Sequence, residues 1–314
     1  MGAVVLSDQR AFRPAIAGAA SGLVTAAMVA PLDVVKIRLQ NQYFSHDVQP
    51  KYKGTFPTLS KIWTEEGVHG LFSGLAPSVY AYLPDRIIWF SVYHGGKKFF
   101  ANTLGTSPEG TTTVHLLATL TASMASAMGT SPLWVVRTRL MTQYTEGPHG
   151  FKYKNASHAF RNMISKEGYF SLYKGLGPSL LGVSHSMVMF PLYEKMKYTM
   201  KERKYGINPD GTLSNLSILT ASSIAKCVAS LLTYPHEVIR TRLQTQKTFL
   251  VDQSPDMGVA RAPQPKYQGV LQTVKVLVAE EGYMSLYRGL TTSIIRQVPA
   301  GAISLWMYEL VLKW

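Results

Sequence analysis

The sequence predicts an all-α membrane protein written as three tandem repeats. Three observations carry that expectation. A proline–acid–base motif recurs at prolines 31, 132 and 235, which are 101 and 103 residues apart. Two further motifs follow it in the same order each time. Charged residues make up only 16% of the 314, against roughly 25% in soluble domains. A mean hydropathy of +0.03 fits helices around a wet cavity, whose inner faces keep polar groups.

The first motif reads Pro31-Leu-Asp33-Val-Val-Lys36-Ile-Arg38-Leu-Gln40. It returns as Pro132-Leu-Trp134-Val-Val-Arg137-Thr-Arg139-Leu-Met141 and as Pro235-His-Glu237-Val-Ile-Arg240-Thr-Arg242-Leu-Gln244. The second runs from Glu66-Gly67 to Phe72-Ser73-Gly74, from Glu167-Gly168 to Tyr173-Lys174-Gly175, and from Glu281-Gly282 to Tyr287-Arg288-Gly289. The third is Tyr93-His94, Tyr193-Glu194 and Tyr308-Glu309. Such self-similarity sets the architecture before any local pattern does. It gives repeats 13–105, 113–205 and 215–314 within a single domain spanning 1–314.

Each repeat reads as helix, short amphipathic helix, helix. The first helices, 14–40, 114–141 and 216–244, are long enough to cross a bilayer. Each holds a proline expected to kink it. The last helices, 75–99, 177–198 and 292–313, follow glycine-rich turns, and a polar stretch at 248–266 lengthens a loop in the third repeat. Gly18 with Gly22 and Ala221 with Ala225 suit close backbone approach or are ordinary small residues.

A net charge of +14 calls for an acidic partner. Nucleic acid is excluded because the Lys and Arg residues recur singly at helix ends, with no zinc spacing, RNA-binding signature or helix-turn-helix. The lone Cys227 rules out an internal disulfide and a cysteine metal cluster, and the pattern implies neither a metal nor a cofactor. Scattered histidines, with no phosphate loop after a strand and no nucleophile–base pair, argue against an enzyme; Gly175-Leu-Gly177 reads as a turn. Residues 1–12 lack a secretory core or an Arg-rich transit helix, and Leu6 spoils a myristoylation signal. Targeting would then be internal.

The first two motifs resemble the signature of the mitochondrial carrier family over nearly the whole chain. The resemblance implies six transmembrane helices in pseudo-threefold symmetry around a central cavity. It also implies three short matrix-side amphipathic helices, termini on the intermembrane-space side and a multi-pass place in the mitochondrial inner membrane, although some relatives serve chloroplasts or peroxisomes. One chain supplies all three repeats, so a monomer suffices.

On this resemblance a matrix gate pairs Asp33 with Arg137 and Glu237 with Lys36. The third pair is broken: Trp134 stands where an acid would face Arg240, leaving a cation–π contact of about 0.5–2 kcal/mol. Gln40 and Gln244 resemble braces beneath these pairs; Met141 cannot serve. The alternative, solvated helix-end charges worth about 0–1 kcal/mol each, is disfavoured by the threefold recurrence. At the cytoplasmic end His94 and Leu312 depart from the family pattern, so that Lys97, Glu194, Lys197 and Glu309 form a weak gate in which only Lys97 with Glu309 keeps both partners.

Resemblance also places cardiolipin phosphates at helix starts near Gly54, Gly74, Gly175, Gly269 and Gly289, with Asn155 standing in for the sixth glycine. Free N–H groups and the helix dipole suit phosphate there; the alternative is that these glycines only make turns. Family substrate contacts map to Ala81, to Gly182 with Val183, and to Arg296. An arginine inside a membrane helix is costly enough to imply a site, here for a substrate phosphate. Gly182 is read either as flat space beside an adenine or as helix packing, and Arg86 either meets a second phosphate or pairs with Asp85.

Trp134 within Pro-Leu-Trp-Val-Val-Arg resembles the nucleotide group of the family, which holds the NAD, pyrimidine nucleotide and FAD or folate carriers. Gly182-Val183-Ser184-His185 resembles the NAD carriers; Pro84-Asp85-Arg86 leans toward the pyrimidine carriers. The expectation is an anionic nucleotide, NAD, imported in exchange for adenine nucleotides by alternating access. Pyrimidine nucleotide or FAD/folate transport is the alternative, and a carrier-like receptor or proton conductor is the rival of another class.

Overall fold

The computed structural model describes residues 2–42, 50–106, 112–143, 153–203, 205–207, 213–246 and 266–313. Most of the polar stretch at 248–266 lies outside them. In the first repeat α1 (Gly2–Asn41), α2 (Thr55–Leu71) and α3 (Leu75–Leu104) follow one another. The second has α4 (Thr112–Thr142), α5 (Ala156–Glu167), a 3-10 turn at Tyr169–Tyr173, α6 (Leu176–Leu181) and α7 (Val183–Glu202). The third has α8 (Asn215–Thr245), α9 (Gly269–Glu281), a 3-10 turn at Tyr283–Tyr287 and α10 (Leu290–Lys313).

The long helices run on through Pro31, Pro132 and Pro235 without interruption. In the second repeat the last long helix is divided at Gly182 into α6 and α7. The acid–glycine motif forces a turn each time, because Gly67, Gly168 and Gly282 have φ of 66°, 82° and 77°, the left-handed region that glycine enters without a Cβ clash.

The long helices close a ring in the order α1, α3, α4, α6–α7, α8, α10, with α10 packed back on α1. The C-terminal halves of α1, α4 and α8 also touch one another. The apolar core lies there, in three equivalent pockets where Val34, Val135 and Val238 pack against Tyr52, Tyr153 and Tyr267 and the short helices beneath. Fully burying such a side chain is worth about 1.5–3 kcal/mol. Toward the other end the ring is held by small residues: Ala118, Ala122, Ala221, Ala225 and Ala229 are fully buried. Gly22 has open space where a Cβ would stand, so it is not a close-approach site.

The outward face is apolar. Leu83, Ile87, Phe90, Leu116, Met124, Leu181, Leu232 and Trp306 are all exposed, far more apolar surface than a soluble monomer tolerates. By length and composition alone one described helix, Leu216–Thr245, with a mean hydropathy of 1.5, is apolar enough to cross a membrane; the others carry polar residues toward the ring interior.

Candidate functional site

The convergence of α1, α4 and α8 brings the three proline–acid–base motifs together. Lys36 Nζ lies 2.5 Å from Glu237 and Arg137 Nη2 lies 3.0 Å from Asp33 Oδ2, with Arg137 Nε donating to Ser78 at 2.5 Å. At the third position Trp134 has the Arg240 guanidinium 5.9 Å and the Arg137 guanidinium 5.2 Å from its ring centroid. Two cations therefore lie within 6 Å of one indole. Beneath, the Thr241 hydroxyl donates to Gln40 Oε1 at 2.8 Å and Gln40 Nε2 donates to the Tyr234 hydroxyl at 2.9 Å. Gln244 Oε1 accepts from the Thr138 hydroxyl at 2.8 Å. Met141 occupies the third place as packing, buried beneath Gly74.

Below these pairs sits a buried set of charges to which the sequence reading gave no role. Arg38, Arg139 and Arg242 are at most 2% exposed. Each pairs with the motif glutamate of its own repeat, respectively Glu66, Glu167 and Glu281. Each also donates to a carbonyl of the next repeat in the ring: Arg38 to Met141 O at 3.0 Å, Arg139 to Gln244 O at 3.0 Å, Arg242 to Gln42 O at 2.7 Å. In the short helix of the second repeat, burial pushes the Glu167 carboxyl up, but hydrogen bonding and charge from Arg139, with Lys174, hold it below the usual glutamate range. A second threefold device is a backbone clamp. Gln42, Gln143 and Gln246 accept the N–H of Tyr52, Tyr153 and Tyr267 at 2.9, 2.8 and 3.0 Å. The signal for both was present, since these Arg and Gln residues recur two and six positions after the motif base.

Above the pairs opens a cavity of about 720 Å³. Its described lining holds five cations (Lys36, Arg86, Arg137, Arg240, Arg296) against three carboxylates (Asp33, Asp85, Glu237), among serines, threonines and aromatic rings. Arg296 reaches it from α10, with Nη1 3.0 Å from Asp33 Oδ1, so one carboxylate bridges Arg137 and Arg296. Arg296 Nε is buried without a hydrogen-bond partner. Arg86 is bonded to Asp85 at 2.6 Å, and Asp85 takes a further bond of 2.5 Å from Ser126. No carboxylate pairs with Arg240 among the described residues. An excess of cations in a water-filled, low-dielectric cleft concentrates anions.

The closed end, the threefold motifs and the cationic cavity meet a matching family model. It is that of the mitochondrial carrier proteins, and it matches at residues 7–104, 108–204 and 211–314. The chain belongs to the mitochondrial carrier family. Among its relatives is the mitochondrial nicotinamide adenine dinucleotide transporter 1 of Saccharomyces cerevisiae, 38% identical over 94% of this chain and 75% of that protein. The mitochondrial nicotinamide adenine dinucleotide transporter 2 of Arabidopsis thaliana is 38% identical over 95% of this chain and 78% of its own. A mitochondrial pyrimidine nucleotide transporter of Saccharomyces cerevisiae is 33% identical over 95% and 84%.

Other residues singled out in this carrier family member are placed differently. Ala81 is fully buried among the packed helices and does not face the cavity; the α3 residues that do are Tyr82, Asp85, Arg86, Trp89 and Tyr93. The expected flat space at Gly182 is filled: a Cβ there would stand 3.3 Å from His236 Nε2 and 2.9 Å from the Ser179 carbonyl. The side chains of Val183 and Glu309 lie outside the described residues. Glu194 and Lys197 pair with each other along one helix at 3.2 Å, and Lys97 forms no ion pair among the described residues. Gly175 and Gly289 (φ 82° and 80°) start α6 and α10 where a Cβ would come 3.1 Å from the carbonyls of Arg240 and Lys36. They are close-approach positions as well as turns. Gly54, Gly74 and Gly175 cap helices that carry no side-chain cap, and Gly269 opens another, leaving N–H donors directed outward.

Proposed function

We propose that this carrier moves anionic nucleotides across the mitochondrial inner membrane, with NAD as its preferred substrate, exchanged for adenine nucleotides by alternating access. The observation that carries this reading is the cavity: cations outnumber carboxylates five to three, and the ion pairs of α1, α4 and α8 close one end of it. The names of the relatives supply the substrate class. Six spans built from α1, α3, α4, α6–α7, α8 and α10 would place the exposed apolar belt in lipid, with α2, α5 and α9 on the matrix face. The helix starts at Gly54, Gly74, Gly175, Gly269 and Gly289 suit cardiolipin phosphates, and a monomer holds the complete cavity.

In the mechanism, Asp33 holds the matrix gate shut through Arg137 while also occupying Arg296. A substrate phosphate that takes Arg296 removes one of the carboxylate's two anchors. Substrate can drive opening only through such a difference in affinity between states. Arg240, facing Trp134 in place of an acid, makes this gate one ion pair weaker than a complete threefold ring.

The test is uptake of labelled NAD into liposomes holding the purified protein and preloaded with NAD, AMP, UTP, FAD or nothing. NAD entry driven by NAD or adenine nucleotides supports the reading; uptake driven by and competed by UTP alone assigns pyrimidine nucleotides, for which Arg86 is the residue to test. Absence of exchange with every nucleotide leaves a receptor or proton conductor. Arg296→Ala is expected to abolish exchange in a folded protein, and wild-type uptake by that variant removes Arg296 from the site.

A further inference from the structure

One face of α3 is built unlike the other walls. Tyr82, Arg86, Trp89 and Tyr93 all line the cavity; at offsets of four, seven and eleven residues they fall within a narrow stripe of a helix with 3.6 residues per turn. The lipid side of the same helix is supplied by Leu83, Ile87 and Phe90, so the stripe is neither core nor belt. Its rings are anchored by their polar atoms to α4: Trp89 Nε1 donates to the Ser123 hydroxyl at 3.3 Å, and the Tyr93 hydroxyl meets His115 Nδ1 at 2.8 Å. Trp89 and Tyr93 lie parallel, 5.0 Å apart and tilted by 11°, and Phe190 of α7 also lines the cavity. Nearer the closed end, Tyr82 stands edge-on to Trp134 at 5.4 Å. Arg86, 60% exposed, lies between these two aromatic stations, which the rise of the helix separates by about 10 Å.

We propose that this stripe is a rail for a dinucleotide, two ring systems joined by a diphosphate. One ring lies against Tyr82 and Trp134, the diphosphate is shared by Arg86 and Arg296 of the same cavity, and the second ring lies against the Trp89–Tyr93 pair. The proposal rests on the nucleotide-carrier reading and deepens it: a mononucleotide fills only one ring station, so the second station selects for dinucleotides. The polar atoms of Trp89 and Tyr93 bond Ser123 and His115 and take no part in the ion pairs of the matrix gate.

The experiment uses the full chain in liposomes preloaded with AMP and compares initial uptake of labelled NAD with that of labelled AMP. Trp89→Leu keeps apolar bulk but removes the π face; the NAD-to-AMP uptake ratio at low substrate is expected to fall on the order of tenfold, the scale of one lost base stack, and Trp89→Phe is expected to restore it. Should Trp89→Leu not fold, judged by thermal unfolding in detergent, Tyr93→Leu is read on the same ratio. An unchanged ratio overturns the proposal, as does equal loss of both substrates in a folded variant. Wild-type uptake of AMP without NAD overturns both the rail and the NAD reading, and shows itself before any variant is made.

Discussion

Asp33→Asn tests the cavity floor most directly. One carboxylate oxygen accepts a hydrogen bond from Arg137 at 3.0 Å, and the other forms an ion pair with Arg296 at 3.0 Å. Asparagine leaves one carbonyl oxygen and turns its amide donors toward the second guanidinium. A hydrogen bond between charged groups contributes about 1.5–3 kcal/mol, and a partly exposed ion pair about 1 kcal/mol. The three side chains are 15, 12 and 28% exposed, so cavity water recovers part of that loss, and the cost settles at about 2–4 kcal/mol. In thermal unfolding this corresponds to a fall on the order of 5 °C for a chain of this size. The control is Glu194→Gln, which breaks a pair along one helix whose carboxylate is 65% exposed and which should leave the midpoint within about 1 °C. In transport, Asp33→Asn frees Arg296 from its competitor, so KM is expected to fall while maximal exchange also falls, because the gate no longer closes firmly. If Asp33→Asn melts with the wild type and with Glu194→Gln, the bridge contributes nothing and the proposed coupling of substrate to gate is wrong.

Trp134→Glu places a carboxylate opposite Arg240; the unfolding midpoint is expected to rise and exchange to slow, and faster exchange would show that Trp134, not a missing acid, governs closure. Gly289→Ala sets a Cβ at φ 80° and 3.1 Å from the Lys36 carbonyl, for about 1–2 kcal/mol of backbone strain before any clash, whereas Gly22→Ala has open space and is expected to be neutral; detergent melting curves compare them. Glu167 titrates below the usual glutamate range when folded, so its stabilisation is complete above the unfolded glutamate pKa and is lost as pH falls through the lower folded value. Glu167→Gln should therefore flatten the midpoint against pH below about pH 5, and an unchanged acid slope would place the protonation step elsewhere.

The repeats and the helices were legible from residues alone, because a motif that returns three times constrains its own geometry. The pairing of Asp33 with Arg137 and Lys36 with Glu237, and the gap at Trp134, came from the resemblance to the carrier signature, since threefold symmetry alone leaves open whether each acid meets the base of the next or of the preceding repeat. The buried arginines were within reach by the same reasoning, since Arg38, Arg139 and Arg242 recur as faithfully as the bases before them, but a charge at a helix end reads as solvated until its burial is known.

What the sequence by itself determined is therefore the threefold unit and the chemistry each unit contributes, because both depend on local spacing and helical periodicity. What only the tertiary structure decided is which side of each helix meets the cavity. Ala81 and Tyr82 are adjacent in sequence yet point apart by about 100° around α3, and the packing of α3 between α1 and α4 turns the tyrosine to the cavity and buries the alanine. Likewise, the space over Gly182 is closed by His236 from another helix, and Arg296 shares Asp33 with Arg137 only because α10 closes the ring onto α1.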